Sequence, residues 1–286
     1  MHQLATSLRA LSRYLSEPRA LRTSVLVRTH NFYMEQRLCV AVRTYSRQQR
    51  GFTALVASLL AARDGCGGNV SLSVDVFPTD STAELGEATL LHAGLLLEQP
   101  EFRSLSLHTH RQLSTTELTS IWNAKCGRRP LLYDYGYLQS DVTLQTVLAR
   151  SGRRECTYVM VTNGDNLYAN SLLDFTCPHM RRNVDVIGWW FSSHNAGIGA
   201  WGRAAKAQGK VEHVGTNVLF RTKLRKSWMD LGAVMIRADL LRLQPAGRIF
   251  TDCGAWREAD GRAIERLVRT PNVTQVVLQE LLFFHQ

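Results

Sequence analysis

Three short polar segments follow apolar runs of the sequence and hold most of the side chains that could do chemistry. They are Thr29–Asn31, Asp75–Asp80 and Asn163–Asn166. In the last segment one carboxylate, Asp165, stands between two asparagines, and Gly164 permits a tight turn. Carboxylate and amide oxygens suit Mg²⁺ or Mn²⁺, which commonly bridge a protein to substrate phosphates. The same residue types also favour an ordinary polar turn, so this segment alone leaves both interpretations open.

The elements around these segments predict a mostly parallel α/β sheet. Apolar runs of strand length alternate with helical stretches, and ligands of such sheets bind beyond the carboxyl ends of the strands, where the three segments lie. The predicted strands are Ser24–Arg28, Val70–Val76, Phe102–His108, Cys156–Thr162, Asn183–Phe191 and Leu231–Arg237. The predicted helices are a stretch from Asn31 to about Leu60, then Thr82–Glu98, Ser114–Lys125, Leu138–Arg150, Ala238–Leu243 and Gly261–Arg269.

Composition indicates a globular protein. The chain has 286 residues, 45% of them hydrophobic and 20% charged, which favours one or two domains, and we predict one. No run approaches the ~18–20 apolar residues of a membrane-spanning helix. We therefore predict no transmembrane segment, and both a cytoplasmic and a Golgi-associated location stay open.

The net charge of +10 is distributed unevenly. Residues 1–22 are rich in Arg and poor in acids, with leucines at helical spacing, and they predict an N-terminal helix or extension ahead of a domain that spans 23–286. A second basic cluster lies between Arg203 and Lys226. Such charge leaves a basic nucleic-acid-binding protein as an alternative. Because much of it lies outside the predicted sheet, we expect no nucleic-acid partner.

The six cysteines fit no zinc-ligand spacing. Cys39 and Cys156 lie in apolar runs and are interpreted as small core residues. We accordingly expect no dense disulfide framework. The triplets Asn69–Ser71 and Asn272–Thr274 match the N-glycosylation pattern, which is also frequent by chance.

Together, the strand-end segments resemble those of the GT-A glycosyltransferases, in particular the family 2-like enzymes, over about Ser24–His285. In that family a first strand leads to a polar turn with Asn, as in Thr29–Asn31, and a second ends in an acid-rich turn, as in Asp75–Asp80. A later strand ends in an Asp-x-Asp motif, matched here by Asn163–Asp165. The segment Asp134–Asp141 resembles the donor-side loop of a subgroup that pairs Tyr-Gly-Tyr with Asn-Gly-Asp-Asn-x-Tyr. The implied fold is a GT-A, Rossmann-like αβα sandwich with a mostly parallel central sheet.

The resemblance also implies residues that bind a nucleotide. Asp75 matches the acid that contacts the base or ribose, and Asp80 matches the acid at the end of the same turn. The whole implied set is Thr29, Asn31, Asp75, Asp80, Gly136, Asp141, Asn163 and Gly164.

A metal site is implied with one departure from the family. Asp165 matches the second Asp of Asp-x-Asp, which binds the metal, whereas Asn163 replaces the first and removes a negative charge. Several GT-A families add a histidine near the end of the domain, and His285 follows an apolar run that predicts a terminal strand. We predict Asp165 and His285 as ligands of Mn²⁺ or Mg²⁺, with Mn²⁺ favoured by the imidazole. The alternative is that His285 is a frayed terminal residue.

A catalytic base is implied in the segment Trp256–Arg262. Inverting GT-A enzymes deprotonate the acceptor hydroxyl with an acid in this region, and Asp260 is the candidate, with Glu258 as the second choice. A partly desolvated carboxylate suits this role because its pKa rises toward the working pH. The alternative is that Asp260 caps the helix that follows it.

The function that these residues imply is transfer of a sugar from a nucleoside-diphosphate sugar, with UDP favoured, to a hydroxyl of a glycan, lipid or protein. We expect the reaction to be metal-assisted and inverting. A nucleotidyltransferase-like enzyme or a catalytically degenerate nucleotide-sugar-binding protein remains the alternative within the same fold.

Overall fold

The computed structural model describes residues 36–67, 70–80, 82–127, 134–149, 156–193, 211–214, 217–226, 228–244, 249–251, 253 and 259–285. These residues belong to one compact unit that spans 35–286. The predicted N-terminal helix, the domain boundary after residue 22 and the predicted strand Ser24–Arg28 lie outside the described residues. None of the described helices is long and apolar enough to cross a membrane.

Strands and helices alternate along most of the described chain. The strands are β1 (Gln36–Thr44), β2 (Val70–Pro78), β3 (Ser106–Thr109), β4 (Tyr158–Asn163), β5 (Leu167–Tyr168), β6 (Val186–Ser193), β7 (Val211–Val214), β8 (Asn217–Phe220), β9 (Val234–Arg237) and β10 (Gln275–His285). The helices are α1 (Gln49–Arg63), α2 (Ala83–Glu98), α3 (Thr115–Cys126), α4 (Asp134–Ala149), α5 (Leu172–Arg181), α6 (Ala238–Arg242) and α7 (Ala259–Val268). Short 3-10 turns include Leu231–Ala233, directly before β9.

One mixed sheet contains all of these strands. Its order is β3-β2-β1-β4-β9-β6-β10-β5, and β7 and β8 extend it from β6. The pairs β2/β3, β1/β2, β1/β4 and β6/β10 are parallel, whereas β9 runs antiparallel between β4 and β6. Strands β1, β2, β4, β6 and β10 therefore all point the same way, and their carboxyl ends lie along one edge of the sheet.

Helices cover both faces of this sheet. On one face, β1 packs through Leu38, Val40 and Val42 in a core that also holds residues of α1, α2 and α5. On the other face, Cys39 and Ala41 pack in a core with residues of α4, α6 and α7. The predicted αβα sandwich with a mostly parallel sheet is confirmed.

The predicted helix from Asn31 to Leu60 is wrong over its first half. Residues Gln36–Thr44 form β1, and the helix begins only at Gln49. The run Leu38–Val42 is at most 1% exposed because core side chains cover it on both faces. A strand buried in this way has a continuous apolar run without alternation, so its periodicity does not distinguish it from a buried helix.

The expectation about cysteines is also wrong. All six cysteines are paired, as Cys39–Cys156, Cys66–Cys177 and Cys126–Cys253. Each bond joins positions more than 110 residues apart. Sequence spacing does not reveal such connectivity, because only the fold brings the partners together.

Candidate active site

The carboxyl edge of the sheet gathers the ends of several strands in a small region. Thr44, Pro78 and Asn163 end β1, β2 and β4, and the register aligns Asn163 with Arg43 across the β1/β4 pair. Ser193 and His285 end β6 and β10 and are aligned with each other. Polar residues at this edge are therefore close in space although they are far apart in sequence.

Arg43 connects three of the converging segments. One of its terminal nitrogens donates to the carbonyl of Gly136 at 2.9 Å and to the hydroxyl of Ser140 at 2.8 Å, in the first turns of α4. The other donates to Oδ1 of Asn163 at 2.8 Å. Its Nε is buried and has no hydrogen-bond partner among the described residues. Two predicted nucleotide residues, Gly136 and Asn163, are thus held together by the guanidinium of Arg43, which uses three of its five N–H donors in these bonds.

Two carboxylates face this guanidinium. Asp260 lies in the first turn of α7, and Asp230 directly precedes the turn into β9, where its Oδ1 accepts from the backbone N of Gly232 at 2.8 Å. Burial lowers the pKa of Arg43, while the charges of Asp230 and Asp260 oppose that shift. Burial and, to a lesser extent, the charge of Asp230 raise the pKa of Asp260 to about 7, against the opposing charge of Arg43. A carboxylate with this pKa can exchange a proton near neutral pH.

The turn after β4 packs tightly against β1 and α1. Gly164 donates its backbone N–H to the carbonyl of Arg43 at 2.8 Å, and a Cβ at Gly164 would overlap the side chain of Thr44. A Cβ at Gly51 would come within 2.7 Å of the Cα of Asp165. Glycine is therefore required at both positions for close approach. The hydroxyl of Thr44 and Oδ1 of Asn166 are buried at this turn and have no hydrogen-bond partner among the described residues.

The two predicted metal ligands lie on neighbouring chain segments. Phe284 of β10 pairs with Leu167 of β5, which places His285 and Asp165 near the same turn. The imidazole Nδ1 of His285 lies 3.2 Å from the hydroxyl of Ser193. No group of three His, Cys, Asp or Glu side chains that could hold a metal occurs among the described residues. The residues present therefore supply one carboxylate and one imidazole, and a metal ion would need further oxygen ligands from a bound substrate.

Asp75 of β2 is buried and does not face solvent. Its side chain is fully buried, and Oδ1 lies 2.8 Å from Nε2 of His110, which follows β3. The ring of His110 stacks on Phe77 with a centroid separation of 4.2 Å. Both rings line a cavity of about 200 Å³, whose other wall includes Gln139 and Thr143 of α4. Asp75 therefore reaches this cavity through His110.

The remaining predicted site residues differ in their surroundings. Asp80 accepts from the backbone N of Ser46 and from the hydroxyl of Thr89, so it fixes the turn after β1. Asp141 is 1% exposed and accepts from three backbone N–H groups of residues 249–251. It is therefore not part of the polar cluster at the strand ends, which consists of Arg43, Asn163, Asp230 and Asp260. Burial raises the pKa of Asp141, and those hydrogen bonds oppose the shift. Thr29, Asn31 and Glu258 lie outside the described residues.

Two members of the cluster, Arg43 and Asp230, were missed in the sequence. Arg43 was assigned to the interior of a helix because the boundary of the first strand was misplaced. Asp230 directly precedes the predicted strand Leu231–Arg237 and is in none of the predicted site sets. A usable signal was its place two residues before the small residues Gly232 and Ala233, at the beginning of a predicted strand.

Comparison with solved structures identifies the fold. Two crystal structures of S. aureus TarS, residues 1–349, match the chain. One is 17% identical with a TM-score of 0.51 and covers 88% of this chain. The other, in complex with UDP, is 16% identical with a TM-score of 0.53 and covers 87%. This chain spans 60% of the length of either structure. No sequence profile of a known family matches the chain, and no curated protein sequence matches it.

These likenesses, together with the strand order and the two helical layers, establish that the chain has the GT-A fold. The polar cluster lies where this class of sheet binds its ligands, beyond the carboxyl ends of the strands.

Proposed function

We propose that the chain is a glycosyltransferase that moves a sugar from a nucleoside-diphosphate sugar to a hydroxyl acceptor. The observation that carries the proposal is the convergence of Arg43, Asn163, Asp230 and Asp260 at the carboxyl edge of a GT-A sheet. It supports a site that combines a carboxylate of near-neutral pKa with donors suited to phosphate oxygens. The UDP in one matching structure supports the choice of a nucleotide donor.

Asp260 is proposed as the general base of an inverting displacement. The acceptor oxygen attacks the anomeric carbon as the bond from that carbon to the diphosphate oxygen breaks, and the hydroxyl proton passes to the carboxylate of Asp260. The nucleoside diphosphate leaves with the bonding electrons. Glu258 remains the second choice for the base.

Arg43 and Asn163 are proposed to face the leaving diphosphate. The guanidinium of Arg43 would donate to a phosphate oxygen through an N–H group that its bonds to Gly136, Ser140 and Asn163 leave unused. The Oδ1 of Asn163 accepts from Arg43, so its amide N–H₂ group is left to act as a donor. Gly136 and Ser140 hold the guanidinium in place at the start of α4.

Asp165 and His285 are proposed to hold a divalent cation, Mn²⁺ or Mg²⁺, with diphosphate oxygens and water as the other ligands. Such an ion would supply charge neutralisation at the leaving diphosphate. The partial fit of this donor set, with one carboxylate and one imidazole, leads us to expect metal binding that depends on nucleotide.

The nucleobase is proposed to occupy the cavity beside Phe77 and His110. Its aromatic wall and open polar rim suit a planar heterocycle. Asp75 would act there by holding His110, and Asp80 by fixing the turn after β1. Thr29 and Asn31 stay predictions as nucleotide contacts.

A thermal-shift screen with UDP, GDP and CDP, each with and without Mn²⁺, tests both the nucleotide and the metal. We expect one nucleotide to raise the Tm, and Mn²⁺ to raise it further, because a ligand that binds only the folded state stabilises it. Asp165→Ala should abolish the increment from Mn²⁺, and His285→Ala should weaken Mn²⁺ more than Mg²⁺. Equal binding of both ions by His285→Ala and the parent would remove the histidine from the site, and a Tm unmoved by every nucleotide would refute the function.

The role of the Asp75–His110 pair is tested by nucleotide affinity. We expect Asp75→Asn and His110→Gln to raise the Kd for the preferred nucleotide by about tenfold, which corresponds to the loss of about 1.4 kcal/mol. Circular dichroism checks that both variants are folded, and Arg103→Gln, an exposed site outside this cavity, serves as the control. Parental affinity in both variants would place the base elsewhere.

A further inference from the structure

The three disulfides indicate the compartment in which the chain folds. They pair every cysteine of the sequence: Cys39 of β1 with Cys156 just before β4, Cys66 of a turn with Cys177 of α5, and Cys126 at the end of α3 with Cys253. Disulfides form and persist in oxidising compartments, such as the lumen of the secretory pathway, and are rare where thiols are kept reduced. A chain that folds there also meets the machinery that modifies asparagine in the Asn-x-Ser/Thr triplet.

One such triplet occupies a turn that presents its asparagine to solvent. The backbone N of Val273 donates to the carbonyl of Thr270 at 3.2 Å, which closes a turn with Pro271 and Asn272 at its centre. Asn272 has a positive φ of 65° and is exposed. Asparagine tolerates this conformation better than most residues, and proline preceding a residue of positive φ is the usual pattern of a type II turn.

The turn lies at the end of the sheet opposite to the candidate active site. It connects α7 to the beginning of β10, whereas the polar cluster lies at the carboxyl ends of β1, β4 and β10. A bulky group on Asn272 would therefore not obstruct the cluster of Arg43, Asp230 and Asp260.

We propose that Asn272 carries an N-linked glycan. The amide nitrogen of Asn272 forms a bond to the anomeric carbon of an oligosaccharide, and the bond from that carbon to a lipid diphosphate breaks. The amide nitrogen loses one proton, and the lipid diphosphate leaves with the bonding electrons.

The contacts of Thr274 indicate when the glycan would be attached. In the folded chain its hydroxyl donates to Oδ2 of Asp185 at 2.8 Å and accepts from the backbone N of Asp185 at 3.0 Å. These two hydrogen bonds compete with recognition of the hydroxyl by an enzyme that must bind the triplet, so we expect the modification to precede the docking of β10 beside β6.

The test uses the chain purified from its own cells. Intact mass is measured after alkylation, with and without treatment by a peptide N-glycosidase, which leaves Asp in place of a modified Asn. We expect no alkylation without reduction, and a glycosidase-sensitive mass increment that peptide mapping assigns to Asn272. The triplet Asn69–Ser71 begins outside the described residues and is mapped separately.

Two variants give matched controls. Asn272→Asp removes the acceptor nitrogen and still tolerates the left-handed conformation, so it should lose the increment at this site and keep the parental Tm to within the contribution of the glycan. Thr274→Ser keeps the triplet and should keep the glycan. An unmodified Asn272 in the parent would overturn the proposal, as would alkylation of the native chain at the cysteines without reduction.

Discussion

Replacing Asp260 with asparagine is expected to lower the turnover number by roughly 10²–10⁴-fold, the usual contribution of a general base. The amide keeps the size of the side chain and its oxygen, which accepts from the backbone N of Gly261 at 2.9 Å, but it cannot take the proton of the acceptor. The Kd for the nucleotide should stay at the parental value. Steady-state kinetics with the donor identified by the thermal-shift screen provide the measurement.

The pH dependence separates this catalytic role from a capping role. Because the base acts when deprotonated, kcat/KM of the parent should rise with pH and level off above the pKa of Asp260, about 7. Its folded-state pKa is raised above the unfolded value of about 3.9, so the protonated carboxyl stabilises the fold at low pH, and this contribution is lost as pH rises through 7. Asp260→Asn should therefore raise the Tm at pH 8 more than at pH 5. A variant that is less stable but turns over normally would establish the capping role.

Replacing Arg43 with glutamine is expected to lower the free energy of unfolding by roughly 3–5 kcal/mol, because it leaves buried charges without their partner. The change removes the hydrogen bonds to Gly136, Ser140 and Asn163 that join α4 to the strand ends. The positive charge of Arg43 lowers the pKa of Asp260, so its loss should also move the rising limb of the pH profile to higher pH. Urea unfolding and the pH dependence of kcat/KM measure the two effects.

Three further variants separate the effects of charge and of hydrogen bonding in the result expected for Arg43→Gln. Arg43→Lys keeps the charge but not the two-sided hydrogen bonding, so it should lose stability with a smaller displacement of the pH profile. Asp230→Asn removes a like charge near Asp260 and should therefore move the rising part of the pH dependence of kcat/KM to lower pH. Arg269→Gln alters a residue with a 75% exposed side chain and should cost less than about 1 kcal/mol. If the pH dependence of kcat/KM were the same in the parent, Arg43→Gln and Asp230→Asn, the proposed electrostatic coupling of Arg43 and Asp230 to Asp260 would be contradicted.

The sequence predicted the layered fold where an element has clear local signals. Ser114 begins α3 with a capping box that includes Glu117, and the predicted helix and the observed one agree to within a residue at each end. Most of the predicted helix at Thr82–Glu98 forms, and its cap, Thr82, accepts from Leu85. The first strand, β1, was not predicted, because burial on both faces removes the alternation of apolar and polar residues on which a strand prediction depends.

The site was predictable only where a polar residue follows a recognisable strand. Asn163, Gly164 and Asp165 could be found because β4 is a clear apolar run before a glycine turn. Arg43 could not, because its importance lies in contacts with residues 93–120 positions away along the chain. The disulfide pairs were not predicted for the same reason, because the local spacing of cysteines does not indicate which of them the fold brings together.

The position of β10 in the sheet sets the order in which a newly synthesised chain can become functional. This strand lies between β6 and β5, and β5 directly follows the turn that carries Asp165. Until residues 275–285 have left the ribosome, β6 has an open edge beside Trp189 and nothing holds that turn from the β10 side. The edge that carries the candidate site is therefore completed only after β10 has been synthesised, and a nascent chain stalled before residue 275 would expose the edge of β6 to pairing with other chains.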